Sequence, residues 1–205
     1  MLMYPAAQVP SASPEPLMKT AMHLKKKICL VGDASVGKSS TIRRFVLNLY
    51  DDFYLTTLGT KVTKKELKIP LPAEDTLVRL DLGIWDIMGQ TSLRELLQDA
   101  YFAGADGVLA VADFTRRATL EGLSDWIERV TRVVGAVPLV GVMNKKDLTA
   151  RAEFGPRDID AFAKRFRCPV FLTSAKTGEN IELAFQRLGS MIVDAHVARA
   201  RTVRA

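Results

Sequence analysis

From Lys26 onward the apolar positions keep two rhythms: short runs rich in β-branched residues, and longer stretches in which an apolar residue returns every three or four positions. Residues 28–31 are followed by a helical pattern over 39–49, residues 108–112 by one over 119–134, and residues 139–143 by one over 158–166. Strands that alternate with helices in this way predict parallel pairing, because the helix carries the chain back across the sheet. Residues 60–69 and 76–85 instead alternate apolar and polar positions, with Pro70, Leu71, Pro72, Ala73, Glu74 and Asp75 between them, which is the pattern of a hairpin. A short strand over 170–173 and a helix over 180–197 close the chain. The predicted fold is α/β with three layers: a six-stranded, mostly parallel sheet with one antiparallel edge strand and helices on both faces.

Residues 1–22 stand apart. Pro5, Pro10, Pro14 and Pro16 among Ala and Ser support neither rhythm and read as a disordered tail. Residues 23–198 then form one domain and 199–205 a basic tail. With 205 residues, 48% of them hydrophobic, the chain builds one full core and has no length for a second domain. Its longest apolar stretches are too short to span a bilayer. The N-terminus lacks the order of a signal peptide, and Leu2 excludes the myristoylation pattern, so a cytoplasmic protein is expected. Cys29 lies in a strand pattern and Cys168 precedes Pro169, so both are expected in the core. The net charge of +6 is concentrated near the ends, in Lys25, Lys26, Lys27, Arg199, Arg201 and Arg204, and does not require nucleic acid as a partner. On the predicted topology these cations converge on one edge of the sheet. They suggest weak peripheral contact with an anionic membrane or an acidic protein, with a solvated terminus as the alternative.

Gly32-Asp33-Ala34-Ser35-Val36-Gly37-Lys38-Ser39 fits G-x-x-x-x-G-K-[ST] and lies between a predicted strand and a predicted helix. The glycines let the backbone approach oxygens, the N–H groups and the helix N-terminus turn positive potential toward phosphates, and Lys38 adds a full charge. Ser39 has the hydroxyl that suits Mg²⁺. Asn144-Lys145-Lys146-Asp147 follows another predicted strand. Alone it reads equally as a polar loop. Beside a phosphate loop it places Asp147 where guanine presents two donors and adenine presents an acceptor, so the carboxylate selects guanine.

Four ordered motifs over roughly residues 26–197 resemble the Ras superfamily of small GTPases. They are the phosphate loop; Tyr54-Leu55-Thr56-Thr57-Leu58-Gly59, similar to switch I; Trp85-Asp86-Ile87-Met88-Gly89-Gln90, similar to switch II; and the pair Asn144 to Asp147 with Thr173-Ser174-Ala175-Lys176. Their wording looks closest to prokaryotic Rab-like members. The resemblance implies a P-loop NTPase fold that binds GTP and GDP with Mg²⁺. It assigns Asp33, Ala34, Ser35, Val36, Gly37, Lys38, Ser39 and Ser40 to the phosphates, and Asn144, Lys145, Asp147, Ser174, Ala175 and Lys176 to the base. Tyr50 reads either as the ring closing the other side of the base or as an aromatic packed at a helix end. Ser39 and Thr57 would ligate the metal, Asp86 would hold it through water, and the Gly89 N–H would bind the γ-phosphate. Gln90, Lys38 and Thr57 would carry catalysis, with Gln90 orienting the attacking water.

The same resemblance implies slow hydrolysis without help, on the order of 10⁻⁴ to 10⁻² per second. It therefore also implies an activator, an exchange factor and an effector. Loss of the γ-phosphate would release Thr57 and Gly89 and relax both switches. Two departures stand out. Ala34 brings a Cβ toward the path of an activator's arginine, and Met88 stands where Ala is usual. The family's membrane-bound members end in prenylated cysteines, whereas this sequence ends Thr202-Val203-Arg204-Ala205. A rival reading is a non-cycling module in which GTP only holds a binding surface together; Gln90 and Thr57 favour the switch.

Overall fold

A computed structural model describes residues 19–50, 60–71, 76–87 and 100–204. Thr57, Gly89 and Gln90, with Met88 and residues 1–18, lie outside the described residues. The elements run in the order β1 (Lys19–Val31), α1 (Lys38–Leu47), β2 (Thr60–Leu71), β3 (Thr76–Ile87), β4 (Gly107–Asp113), α2 (Arg117–Glu121), α3 (Leu123–Val134), β5 (Leu139–Asn144), a 3₁₀ helix (Lys146–Arg151), α4 (Pro156–Phe166), β6 (Val170–Leu172) and α5 (Ile181–Arg204). The sheet order is β2-β3-β1-β4-β5-β6. β2 pairs antiparallel with β3, from Thr60 opposite Ile87 to Leu71 opposite Thr76, while β1–β3, β1–β4, β4–β5 and β5–β6 are parallel. The predicted architecture is therefore the observed one.

Alternation along β1 splits the core into two layers. Ile28 and Leu30 point to the face covered by α1 and α5, where they meet Ile42, Phe45, Phe185 and Leu188. Cys29 and Val31 point to the other face, with Trp126, Val130 and Phe162. The rings of Phe45 and Phe185 stack with centroids 3.8 Å apart and fasten α1 to α5. Both thiols are buried as expected, and burial pushes Cys29 up to about 12 and Cys168 up to about 11.

Some elements are longer than the sequence pattern predicts, and one is broken. β1 starts at Lys19 because it pairs with β3 along its length, from Lys19 opposite Thr76 to Leu30 opposite Asp86; its lysines obscure that strand in the sequence. Helix α5 continues to Arg204. The helix predicted over 119–134 divides at Gly122 into α2 and α3. A Cβ on Gly122 would lie 3.2 Å from the Asp33 carboxylate, so the absence of a side chain there lets the phosphate loop pack closely. Among the described residues no helix is long and apolar enough to cross a membrane.

Candidate functional site

The chain leaves β1 toward β2 and β3 on one side and later returns to β4, β5 and β6 on the other. The loop after β1 thus lies at the point where strand order reverses, the usual crevice for ligands in open parallel sheets. Its backbone is held in conformations that its sequence makes affordable. Gly32 has φ +136° and a Cβ there would fall 2.1 Å from the Val111 carbonyl oxygen; Gly37, at the start of α1, has φ +101° and a Cβ would fall 2.3 Å from Asn144 Nδ2. Ser35 also has positive φ. Lys38 is buried and its Nζ donates to the carbonyls of Gly32 at 2.7 Å and Asp33 at 2.8 Å, so its ammonium spans the loop.

Ser39 and Ser40 follow on the first turn of α1. The Ser39 hydroxyl donates to Asp86, a carboxylate only 4% exposed near the end of β3. A hydroxyl and a carboxylate brought together beside a phosphate loop are hard oxygen donors, the chemistry that suits Mg²⁺. The residues present therefore fit the implied metal.

On the base side, Asn144 ends β5 and is 2% exposed. Its Nδ2 donates to the Val36 carbonyl at 2.9 Å, and its Oδ1 accepts from the Ala175 N–H at 3.1 Å. One amide thus joins the phosphate loop to the loop after β6. The Ser174 hydroxyl donates to Asp147 Oδ1 at 2.6 Å, which fixes that carboxylate at the start of the 3₁₀ helix. Lys145 has φ +69° and its Nζ lies 2.7 Å from Asp113 Oδ2. Lys176 is exposed, with its carbonyl held by the Arg44 guanidinium. Tyr50 is 37% exposed, with the Arg44 guanidinium 6.0 Å from its ring centre, so it is not packed into the core.

Four contributors escape sequence reasoning. Arg44, on the last turn of α1, donates to the Ala175 carbonyl at 2.8 Å and to that of Lys176 at 2.5 Å. Trp126 Nε1 donates to Asp33 Oδ1 at 3.0 Å. Asp113, 1% exposed at the end of β4, accepts from Arg116 Nε at 2.9 Å and from Thr115 besides pairing with Lys145. Arg116 in turn donates to the Ala34 carbonyl at 3.0 Å, a contact across 82 residues. Burial alone would raise the Asp113 carboxyl, but hydrogen bonds from Lys145, Thr115 and Arg116 outweigh it and hold the group below its usual range. A lone acidic residue at the end of the apolar β4 run was a legible signal for Asp113. Nothing local marks Arg116 or Trp126.

The terminal cations are sorted by the pleat. Lys26 and Arg199 line one groove, whereas Lys27 lies on the opposite face with its Nζ 3.8 Å from the Trp85 ring centre, and Lys25 is exposed.

Comparison with known proteins gives the family. The Ras family profile matches residues 27–194. GTP-binding protein YPTM2 of Zea mays is 32% identical over 169 residues, 82% of this chain and 80% of that protein. Ras-related protein Rab-1A of Dictyostelium discoideum is 32% identical over 176 residues, 85% and 84% of the two chains, and GTP-binding protein ypt5 of Schizosaccharomyces pombe is 33% identical over 178, 85% and 81%. A phosphate loop tied by one amide to a guanine-type loop, on a sheet of this order and with relatives of this extent, leads to one conclusion: the chain belongs to the Ras family and is a Rab-like small GTPase.

Proposed function

We propose that this GTPase is a hydrolysing switch, which binds Mg·GTP, cleaves it slowly and changes the shape of its two switch segments when the γ-phosphate leaves. The observation that carries the reading is the Asn144 amide, which holds Val36 and Ala175 together and so joins a phosphate cradle to a base pocket in one rigid unit. In this reading the N–H groups from Asp33 to Ser40 and the Lys38 ammonium take the phosphates. Asp147 accepts from guanine, Lys145 lies along the ring, Tyr50 closes its other side, and Ser174, Ala175 and Lys176 support it. Ser39, Thr57 and, through water, Asp86 would hold Mg²⁺, which when bound would supply positive charge at the phosphate oxygens. Gln90 orients the attacking water while Lys38 offsets charge on the transferring group. Thr57 and the Gly89 N–H sense the γ-phosphate, and their release resets the partner surface. An activator, an exchange factor and an effector complete the cycle.

The test is to purify the full chain without added nucleotide, denature it and identify what was bound, then to compare hydrolysis by wild type and Gln90→Leu. Bound GDP and a strongly slowed variant of unchanged GTP affinity are expected. Bound GTP, or equal turnover in the two proteins, would remove hydrolysis by Gln90 from the function. Failure to bind any guanine nucleotide would overturn the role of Asp147.

A further inference from the structure

The loops after β1, β4, β5 and β6 serve the nucleotide at one edge of the sheet. At the opposite edge lies a second, polar groove, walled by Lys26 of β1, Asp106 before β4, Pro138 before β5, and His196 and Arg199 of α5. Its volume is about 100 Å³, well below the roughly 300 Å³ at which pockets for drug-sized ligands begin. A single small polar group fits it.

The sign of that group follows from the charge left over. Lys26 Nζ donates to Asp106 Oδ1 at 2.9 Å, and the Lys27 N–H donates to Asp106 Oδ2 at 2.9 Å, so each oxygen of the one carboxylate among the described wall residues already has a donor. His196 and Arg199 stand three residues apart and share a helix face. Neither side chain pairs with an acidic side chain or makes a side-chain hydrogen bond among the described residues. Lys26 also lies on the same side of the sheet as Leu24 and Ile28, the side covered by α5. Lys26 and Asp106 therefore offset one another, and the groove is left with the cation of Arg199 beside the His196 ring.

We infer that this groove binds a terminal phosphate group, through the forked donors of Arg199, the ring of His196 and the anchored charge of Lys26. The group is either free phosphate or the headgroup of an acidic lipid, both of which present the same oxygens. The inference does not depend on hydrolysis at the nucleotide site.

The chain contains two histidines, His23 and His196, and they provide a probe and its control. His23 is paired with Asp81 at 2.7 Å, away from the groove. The full chain, saturated with Mg·GDP so that the phosphate loop is filled, is titrated at fixed pH with inorganic phosphate against chloride of matched ionic strength, and the histidine ring resonances are followed by NMR. The same protein is then mixed with phosphatidylcholine vesicles, with and without phosphatidic acid. The His196 resonance is expected to move saturably while that of His23 stays still, with about tenfold weaker binding in Arg199→Ala, the loss of one charge-assisted contact. Arg199 is exposed, and unchanged GDP binding with an unmoved His23 resonance checks that the variant folds. A response to free phosphate identifies a soluble anion as a ligand, and a response to phosphatidic acid vesicles alone identifies the headgroup. A His196 resonance that ignores both, or that moves equally in wild type and Arg199→Ala, overturns the inference.

Discussion

Replacing Asn144 by Ala tests whether the phosphate and base halves of the site are one mechanical unit. The substitution leaves the strand pairing of β5 in place, including the Phe114 N–H to Asn144 carbonyl bond at 2.8 Å, because that bond uses only backbone. It removes the donor to Val36 and the acceptor for Ala175, both of which are buried backbone groups. Each group left without a partner costs about 1 to 3 kcal/mol, so the pair costs about 2 to 5 kcal/mol once water reaches the space left by the amide. If half of that, about 1 to 2.5 kcal/mol, falls on the nucleotide-bound state, GDP leaves about five- to seventyfold faster. Release of a fluorescent GDP analogue into excess GTP measures the rate, and thermal unfolding with and without saturating GDP measures the share borne by the fold. A faster release together with a smaller GDP-induced gain in Tm is expected. A lower Tm with release within about twofold of wild type would refute the coupling and leave Asn144 as a structural residue only.

Gly37→Ala should weaken GDP binding more than it lowers Tm, since φ of +101° strains any side chain by about 1 to 3 kcal/mol and the new Cβ would displace the Asn144 amide; equilibrium GDP titration reads the loss. Arg116→Ala should speed GDP release by roughly fivefold, about 1 kcal/mol for the partly exposed bond to the Ala34 carbonyl, while leaving the preference for guanine over adenine nucleotides unchanged. Arg116→Lys should not restore the wild-type rate, because one ammonium cannot span Asp113 and Ala34 as the guanidinium fork does. In acid, the depressed Asp113 carboxyl means that the unfolded chain takes up its proton first. Its contribution to stability is therefore complete above the ordinary carboxylate value of 3.8 and is lost as pH falls through the lower folded value. Asp113→Asn should flatten that part of the stability curve in acid titrations followed by circular dichroism.

The order and type of the elements were legible in the sequence because burial on one or both faces writes a period into the chain. The hairpin of β2 and β3, the crossover helices and the phosphate loop between β1 and α1 all follow from local pattern and from what glycine and lysine can do beside phosphate. Asn144 and Asp147 were legible as chemistry by their place after a strand, and Ser174 only through the family resemblance. Their joining was not. That one amide at position 144 spans Val36 and Ala175 depends on β1, β5 and β6 lying in the order the sheet gives them. The β1 lysines hid their strand because its ladder to β3 is satisfied by backbone bonds, to which side-chain composition is indifferent. The helix expected over 119–134 divides at Gly122, where a side chain would crowd the Asp33 carboxylate. Arg116 on Ala34 and Trp126 on Asp33 are long-range contacts. Local sequence sets which groups can donate or accept, but packing decides which of them come within reach of one another.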